Sequence, residues 1–378
     1  MEKLRFGVIG VCGRGGLANN WRDNDRSMVV AGADVYPEKL ADFRTRMGDD
    51  VFTTLDYREM LERPDIDAVA VTSPDFMHEE HAVAALEAGK HVYLEKPMAI
   101  TTEGCDHIIR AEKASGKRLM VGFNMRCMNM YRVMKEIVDS GTIGEIKAVW
   151  VRHFVGHGGH FYYHDWHGTR RNATSLLLQK GSHDIDIIHW ISGSYSKRVS
   201  AFGSLDKFGG DKPNDLHCPT CDIRKTCHEA DFSNLNQCCF RQEVDIEDNN
   251  VMIMQLANGI KASYLQCHFT PDYHRNYVFI GTEGRMENYE PDNKVWVKMR
   301  RADSWKELSD RTYDVKKAVG GHGGGDPVIT EEFLDMVLEG REPVATPIDG
   351  RMSVAAGCAA AHSMRNGGIP VDITPVDA

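Results

Sequence analysis

A glycine-rich turn, Gly10-Val11-Cys12-Gly13-Arg14-Gly15-Gly16, follows the compact apolar run Leu4 to Ile9. Such a turn between a strand and a helix lets backbone N–H groups approach a pyrophosphate. Cys12 replaces the second glycine of the usual G-x-G-x-x-G spacing, while Gly13 and Gly15 keep the loop open. A tight bend without a ligand is the plain alternative. Asp34 weighs against it. It ends the next apolar run, 24 residues after Gly10, where a ribose-binding carboxylate belongs. A carboxylate there accepts both ribose hydroxyls and repels a 2′-phosphate, which favours NAD over NADP. A helix N-cap is the other use for Asp34, since Pro37-Glu38 follows.

Two more segments stand where a doubly wound sheet binds its ligand, at the carboxyl ends of strands. They are Thr72-Ser73-Pro74-Asp75, with His78 after it, and Glu95-Lys96-Pro97. Pro97 biases Lys96 to an extended conformation and ends the strand, so the lysine should face the nicotinamide. A solvated charge is the default for any single lysine. The expected cofactor contacts are Gly10, Cys12, Gly13, Arg14, Gly15, Asp34, Ser73, Pro74, His78, Glu95 and Lys96.

Five of ten cysteines fall in one segment: Cys218, Cys221, Cys227, Cys238 and Cys239. Cys-x-x-Cys with a third cysteine six residues on fits a tetrahedral zinc site. Cys218, Cys221, Cys227 and Cys238 are the expected ligands, with Cys239 or a nearby histidine as alternatives for the fourth. The insertion, about 215–241, is too polar and short to build its own core, so a metal staple makes physical sense. Reduced free thiols and an iron–sulfur cluster are the other readings. Four thiolates leave no open coordination position, which makes the role structural rather than catalytic.

The segment Gly89-Lys-His-Val-Tyr-Leu-Glu-Lys-Pro97 resembles the signature of the Gfo/Idh/MocA oxidoreductases. Thr72 to Asp75 with His78 fits the segment that precedes it in that family. Gly181-Ser182-His183-Asp184-Ile185-Asp186, with Trp190 following, resembles its second-domain motif. Gly321-His322-Gly323-Gly324-Gly325-Asp326 resembles a motif of one subgroup, which also carries cysteines in an insertion. The resemblance spans nearly the whole chain. It implies a Rossmann domain, a second domain with an open and largely antiparallel sheet, a nicotinamide dinucleotide, and a sugar, inositol or related substrate. It also implies that Lys96 is the catalytic lysine and His183 the catalytic histidine.

Hydride removal from a secondary alcohol needs a base for the hydroxyl proton and an acceptor for the hydride. Imidazole titrates near neutral pH, so His183 suits the base. Lys96 suits polarisation of the oxygen as charge develops. One departure matters. Dehydrogenases of this family often carry Asp four residues before the histidine, and here that position is Gln179, followed by Lys180. Glutamine accepts no proton, and some proteins that resemble this family are NAD-dependent glycosidases, so the resemblance implies such a glycosidase as a second expectation. It would oxidise ring carbon 3 transiently, eliminate the aglycone, add water and return the hydride. A stretch with five histidines in 15 positions, His153 to His167, could supply its extra acid and base groups; the alternatives are a loop that binds a metal or an anionic sugar substituent, and a solvated loop with scattered histidines. Arg152, His157, His160, His164, Trp166, Arg170, Lys180, Asp186 and His322 are the expected substrate residues. Arg152, Arg170 and Arg171 hint at an acidic substituent on the substrate. A catalytically silent dinucleotide sensor is the third expectation.

These groups require particular elements to hold them. Compact apolar runs at Leu4 to Ile9, Met28 to Ala33, Asp67 to Val71, His91 to Leu94 and Arg118 to Gly122 alternate with amphipathic stretches. That order predicts a parallel sheet covered on both faces, residues 1–124. From 125 to 378 longer alternating runs predict an α+β domain with an open, mostly antiparallel sheet, and two final helices packing back. Asn258-Gly259 marks a hairpin. The 378 residues suit two domains. A formal net charge of −10 argues against nucleic acid. No apolar stretch is long enough for a membrane span, and the first residues lack a signal peptide's apolar core, so the expectation is a cytoplasmic protein. An open sheet in this fold commonly makes subunit contacts, so a homo-oligomer is expected.

Overall fold

The structure is a computed structural model, and it describes residues 3–156, 160–231, 236–301, 305 and 307–376. The chain forms two compact units. The first comprises Met1–Asn129 and Lys317–Val354, the second Met130–Lys316 and Ala355–Ala378.

In the first unit six strands form a parallel sheet: β1 (Leu4–Ile9), β2 (Ser27–Ala33), β3 (Phe52–Thr54), β4 (Ala68–Val71), β5 (His91–Leu94) and β6 (Leu119–Val121). Their order is β3-β2-β1-β4-β5-β6. The order reverses between β1 and β4, the crevice where doubly wound sheets take dinucleotides. β4 is buried at every residue because helices cover both faces. Those helices are α1 (Ala18–Arg22), α2 (Pro37–Met47), α3 (Tyr57–Leu61), α4 (His78–Glu87) and α5 (Thr102–Ser115). The start of α5 is fixed by Thr101, whose hydroxyl accepts from the Gly104 N–H, and Gly116 in the left-handed region ends it.

Residues 317–354 fall in this first unit, not in the second as their place in the sequence led us to expect. The reason is core packing. A later helix, Gly325–Glu339, buries Ile329, Phe333, Leu334 and Met336 in the same cluster as Phe6, Trp21 and Tyr93. Phe6 stacks on Trp21 at 4.4 Å, and Phe333 tilts against Phe6 at 5.6 Å. Full burial of one such side chain stabilises by about 1.5–3 kcal/mol.

The second unit is built on a nine-stranded sheet. Its strands are β7 (Ile146–Val155), β8 (Ser196–Ser204), β9 (Asn249–Leu256), β10 (Lys261–Cys267), β11 (Tyr273–Gly281), β12 (Gly284–Tyr289), β13 (Lys294–Met299), β14 (Arg311–Asp314) and β15 (Val371–Asp372). The order is β14-β13-β12-β11-β7-β10-β9-β8-β15. Only β7 and β10 pair in parallel; the other neighbours are antiparallel. Asn258 and Gly259 turn β9 into β10 as expected. Side chains alternate faces along a strand. Val149, Val151 and His153 of β7 are therefore buried, while Trp150 and Arg152 point to the opposite, open face.

The helices of the second unit, in chain order, are α6 (Asn129–Asp139), α7 (Arg170–Ala173), α8 (Leu176–Gln179) and α9 (Gly181–Ser192). The helix Gly325–Glu339 is α10, and α11 (Pro347–Arg365) runs across the boundary between the units. Among the described residues no helix is long and apolar enough to cross a membrane.

Candidate active site

The turn after β1 is shaped by close backbone approach. Gly10 sits at φ +83°, and a Cβ there would lie 2.7 Å from the Ser73 backbone. A Cβ on Gly15 would lie 2.3 Å from the Gly10 carbonyl oxygen. Both positions therefore require glycine. Cys12 has φ −103° and ψ 175°, an extended conformation open to any residue. The missing glycine thus costs the turn no strain. Asp34 lies just beyond β2, and its carboxylate accepts from the Val11 N–H at 3.0 Å and the Tyr36 N–H at 3.2 Å. It is tied to the glycine-rich turn, in the place a ribose-binding acid occupies.

Arg14 leaves the turn to join a half-buried ionic cluster. Its guanidinium donates to Glu95 at 2.8 Å and to both Asp326 oxygens at 3.0 Å. Asn124 donates to Asp326 at 2.8 Å, and His322 Nδ1 lies 2.8 Å from the same carboxylate. Burial alone would raise the Asp326 carboxyl, but hydrogen bonds from His322 and Arg14 outweigh it and hold it well below the usual range. Glu95 also accepts from the Lys96 N–H at 3.1 Å. Arg14 was expected as a cofactor contact and His322 as a substrate residue. The structure instead gathers both around Asp326 in the first unit, and the cluster reaches the backbone of Lys96 through Glu95.

His78 was also expected at the cofactor. Its buried ring lies between the Pro97 carbonyl (Nδ1···O 2.7 Å) and the Ser73 carbonyl (Nε2···O 2.9 Å). The ring packs between the two turns that follow β4 and β5, and the neutral imidazole donates to one of the two carbonyls. His81 supports Ser73 through its hydroxyl at 2.9 Å, and burial lowers this ring to about 4.

In the second unit His183 lies near the start of α9 and is buried, as are Gln179 and Asp186. The neighbouring Asp184 faces the sheet. It accepts from Tyr264 at 2.8 Å, from Tyr277, and from Arg275 Nη2 at 3.4 Å; Arg275 Nε forms an ion pair with it at 3.1 Å, and His153 Nδ1 lies 3.0 Å away. Burial alone would raise this carboxyl, yet Arg275 and His153 hold it well below the usual range. Residues from β7, β10 and β11 thus converge on the residue next to His183. Sequence reasoning missed this hub. Its partners lie on separate strands, and only the inward parity of His153, Tyr264, Arg275 and Tyr277 could have hinted at it.

The remaining expected substrate residues scatter. Arg152 is on the open sheet face, opposite His153, and lies over Trp150 and Phe154 at 5.5 Å. Strand alternation removes it from the side that faces α9. Arg170 pairs with buried Glu247 at 2.7 Å, which Arg365 also holds. Arg171 is exposed. His164 faces the Gln237 and Glu229 carbonyls with its two ring nitrogens, so it braces the cysteine-rich insertion. Trp166 stacks on His167 at 3.6 Å. Lys180 lies 5.8 Å from the Tyr162 ring centroid. His157 and the side chain of His160 lie outside the described residues.

Cys218, Cys221, Cys227, Cys238 and Cys239 all line one cavity of about 30 Å³. Burial raises the Cys218 and Cys238 thiols, and each is raised further by the neighbouring cysteines. Among the described residues, however, no group of three or more His, Cys, Asp or Glu side chains is arranged to hold a metal ion.

Residues 4–123 match the profile of the oxidoreductase family's NAD-binding Rossmann fold. Residues 135–373 match the profile of the family's C-terminal alpha/beta domain. The chain belongs to the Gfo/Idh/MocA oxidoreductase family. Among Gfo/Idh/MocA relatives, an inositol 2-dehydrogenase of Burkholderia cenocepacia (strain HI2424) is 26% identical over 380 residues, 97% of this chain and 95% of that protein. An inositol 2-dehydrogenase/D-chiro-inositol 3-dehydrogenase of Halalkalibacterium halodurans is 36% identical over 200 residues, 52% of this chain and 55% of that one. A levoglucosan dehydrogenase solved with NADH and levoglucosan superposes with a TM-score of 0.80 at 22% identity, covering 98% of this chain and 100% of that one. At that identity the likeness is one of fold: a parallel sheet followed by a mostly antiparallel one.

Proposed function

We propose that this Gfo/Idh/MocA protein is an NAD-dependent dehydrogenase of a sugar or polyol. The observation that carries the reading is Asp34, held beside a turn in which Gly10 and Gly15 leave no room for a Cβ. Gly10, Gly15 and Asp34 fit a dinucleotide: the turn offers backbone N–H groups to its phosphates, and the carboxylate accepts ribose hydroxyls. Bound NAD would supply the hydride acceptor. His183 takes the proton of the reacting hydroxyl, and Lys96 stabilises negative charge on that oxygen through its ammonium. The family motifs support both roles, as do the dehydrogenase names of the relatives. The Glu95–Arg14–Asp326 cluster positions the backbone at Lys96.

Gln179 favours a second reading, a glycosidase that recycles its NAD, because no carboxylate stands four residues before His183. The experiment that separates them follows NADH and sugar release together. A dehydrogenase yields NADH in proportion to substrate, and a glycosidase yields sugar without net NADH. A dinucleotide sensor yields neither.

Two further proposals concern the assembled protein. The Cys-x-x-Cys spacing with Cys227 six residues on supports a structural zinc on Cys218, Cys221, Cys227 and Cys238, although among the described residues these thiols are not gathered into a metal-holding group. Protein purified without chelator should carry about one zinc per chain by mass spectrometry; metal-free protein with unchanged stability contradicts the proposal. The open sheet face exposes Trp150, Phe202, Val251 and Ile253, an apolar row that supports a homo-oligomer. A monomeric mass by sedimentation contradicts that.

A further inference from the structure

His268 follows β10, and its ring is fully buried. Neither ring nitrogen has a hydrogen-bond partner among the described residues. Tyr162 and Tyr163 meet the ring edge-on, at 5.2 and 6.0 Å, and so fix its orientation. Two more buried polar atoms have no hydrogen-bond partner among the described residues: Nε2 of His153 and Oε1 of Gln266. These two residues are register partners on β7 and β10 and belong to one sheet face. The group adjoins the segment that carries His183. His153 contacts Asp184 next to His183, and Lys180 and His153 both act electrostatically on His268.

Native interiors leave few buried polar atoms unpaired, and a cluster of them calls for a ligand or ordered water. The kind of atom specifies the ligand. Burial, reinforced by His153 and Lys180, pushes His268 well below its ordinary value, so the ring is neutral. A neutral imidazole offers one donor and one acceptor, and Gln266 Oε1 offers an acceptor. Hydroxyl groups, which both donate and accept, complement that set. A carboxylate, which only accepts, would face acceptors it cannot satisfy. Burial, with Arg275 nearby, also lowers Lys180. Of the arginines suited to an acidic substituent, Arg152 is on the open face and Arg170 is paired with Glu247.

We infer that His268 is a substrate-contacting residue that selects the hydroxyl groups of a neutral sugar or polyol. The inference rests on the sugar or polyol reading above. It is tested with the full chain loaded with NAD, comparing wild type, His268→Phe and His268→Gln. Phenylalanine keeps the ring and removes both unpaired nitrogens, so the melting temperature without sugar should stay level or rise. A fall of more than about 4 °C means that the ring makes structural bonds, and overturns the inference. Calorimetric binding of myo-inositol, glucose, levoglucosan and glucuronate gives the second readout. Wild type should prefer a neutral probe. His268→Phe should weaken that probe about tenfold, or 1.4 kcal/mol, with NAD affinity unchanged, and His268→Gln should recover part of it. A preference for glucuronate, or equal affinity in His268→Phe, overturns the inference while leaving the function intact. A wild type that binds NAD and none of the four probes contradicts the sugar reading and the inference together.

Discussion

At the level of single residues, Lys96 is the sharpest point of commitment. Its ammonium is assigned to charge that develops only during the reaction, so its loss should affect turnover far more than binding. Lys96→Ala should lower kcat by about 10²–10³-fold, with NAD affinity within a factor of about 2 of wild type by fluorescence titration. Normal turnover in the variant would remove the assignment. The tight turn after β1 and the place of Asp34 beside it were legible at this scale. Gly10, Gly15 and Asp34 carry constraints that are local in sequence: a positive φ, a close backbone approach, and a fixed spacing. The surroundings of the residues proposed for the substrate were not. Arg152 and Arg170 were charges without an address. The alternation of β7 and the pairing with Glu247 give them one, away from α9. His164 read as a binding residue because histidine serves equally as a ligand or a brace, and only its two carbonyl partners distinguish these.

At the level of elements, Arg14 ties the loop after β1 to Glu95 after β5 and to Asp326 at the start of α10. Asp326→Asn removes the charge that Arg14, His322 and Asn124 converge on. It should destabilise the protein by about 1–3 kcal/mol in urea and weaken NAD several-fold, because the loop loses one anchor. Unchanged stability would show that the cluster does not hold the loop. Elements with one clear period were readable: β1, β5, α2 and α5 fall where apolar runs or helical stripes put them. Others were hidden. β8 mixes Lys197, Arg198 and Gly203 with its apolar residues, and its neighbour β15 is only two residues long. β12 begins at Gly284 and alternates too weakly to be told from a turn. β15 is an edge strand, where the need for apolar residues relaxes and the pattern fades. The membership of α10 in the first unit was likewise unreadable, because it depends on Phe333 meeting Phe6 across more than three hundred residues of chain.

At the level of the whole molecule, buried histidines set the response to acid. Burial lowers His153 to about 3 and His81 to about 4, and pushes His78 and His268 down as well. Each folded value lies below the unfolded value of about 6.5. The fold therefore keeps its full stability above that pH and loses it as the pH falls toward 4, because the unfolded chain takes up protons the folded chain refuses. At pH 5 the rings of His153 and His81 each cost about 2 kcal/mol. Urea unfolding at pH 7 and pH 5 should show a marked loss at the lower pH, and equal stability at both would contradict the burial of these rings. Asp184 and Asp326, held low, extend the loss below about pH 4.

The central claim is net oxidation of a sugar or polyol by NAD. It is tested most directly by a screen with added NAD that follows NADH absorbance and aglycone release in the same reactions, pairing free sugars and polyols with their aryl glycosides. The account predicts NADH in proportion to a free sugar or polyol consumed. Aglycone release that requires NAD yet leaves no NADH would contradict it and identify a glycosidase instead.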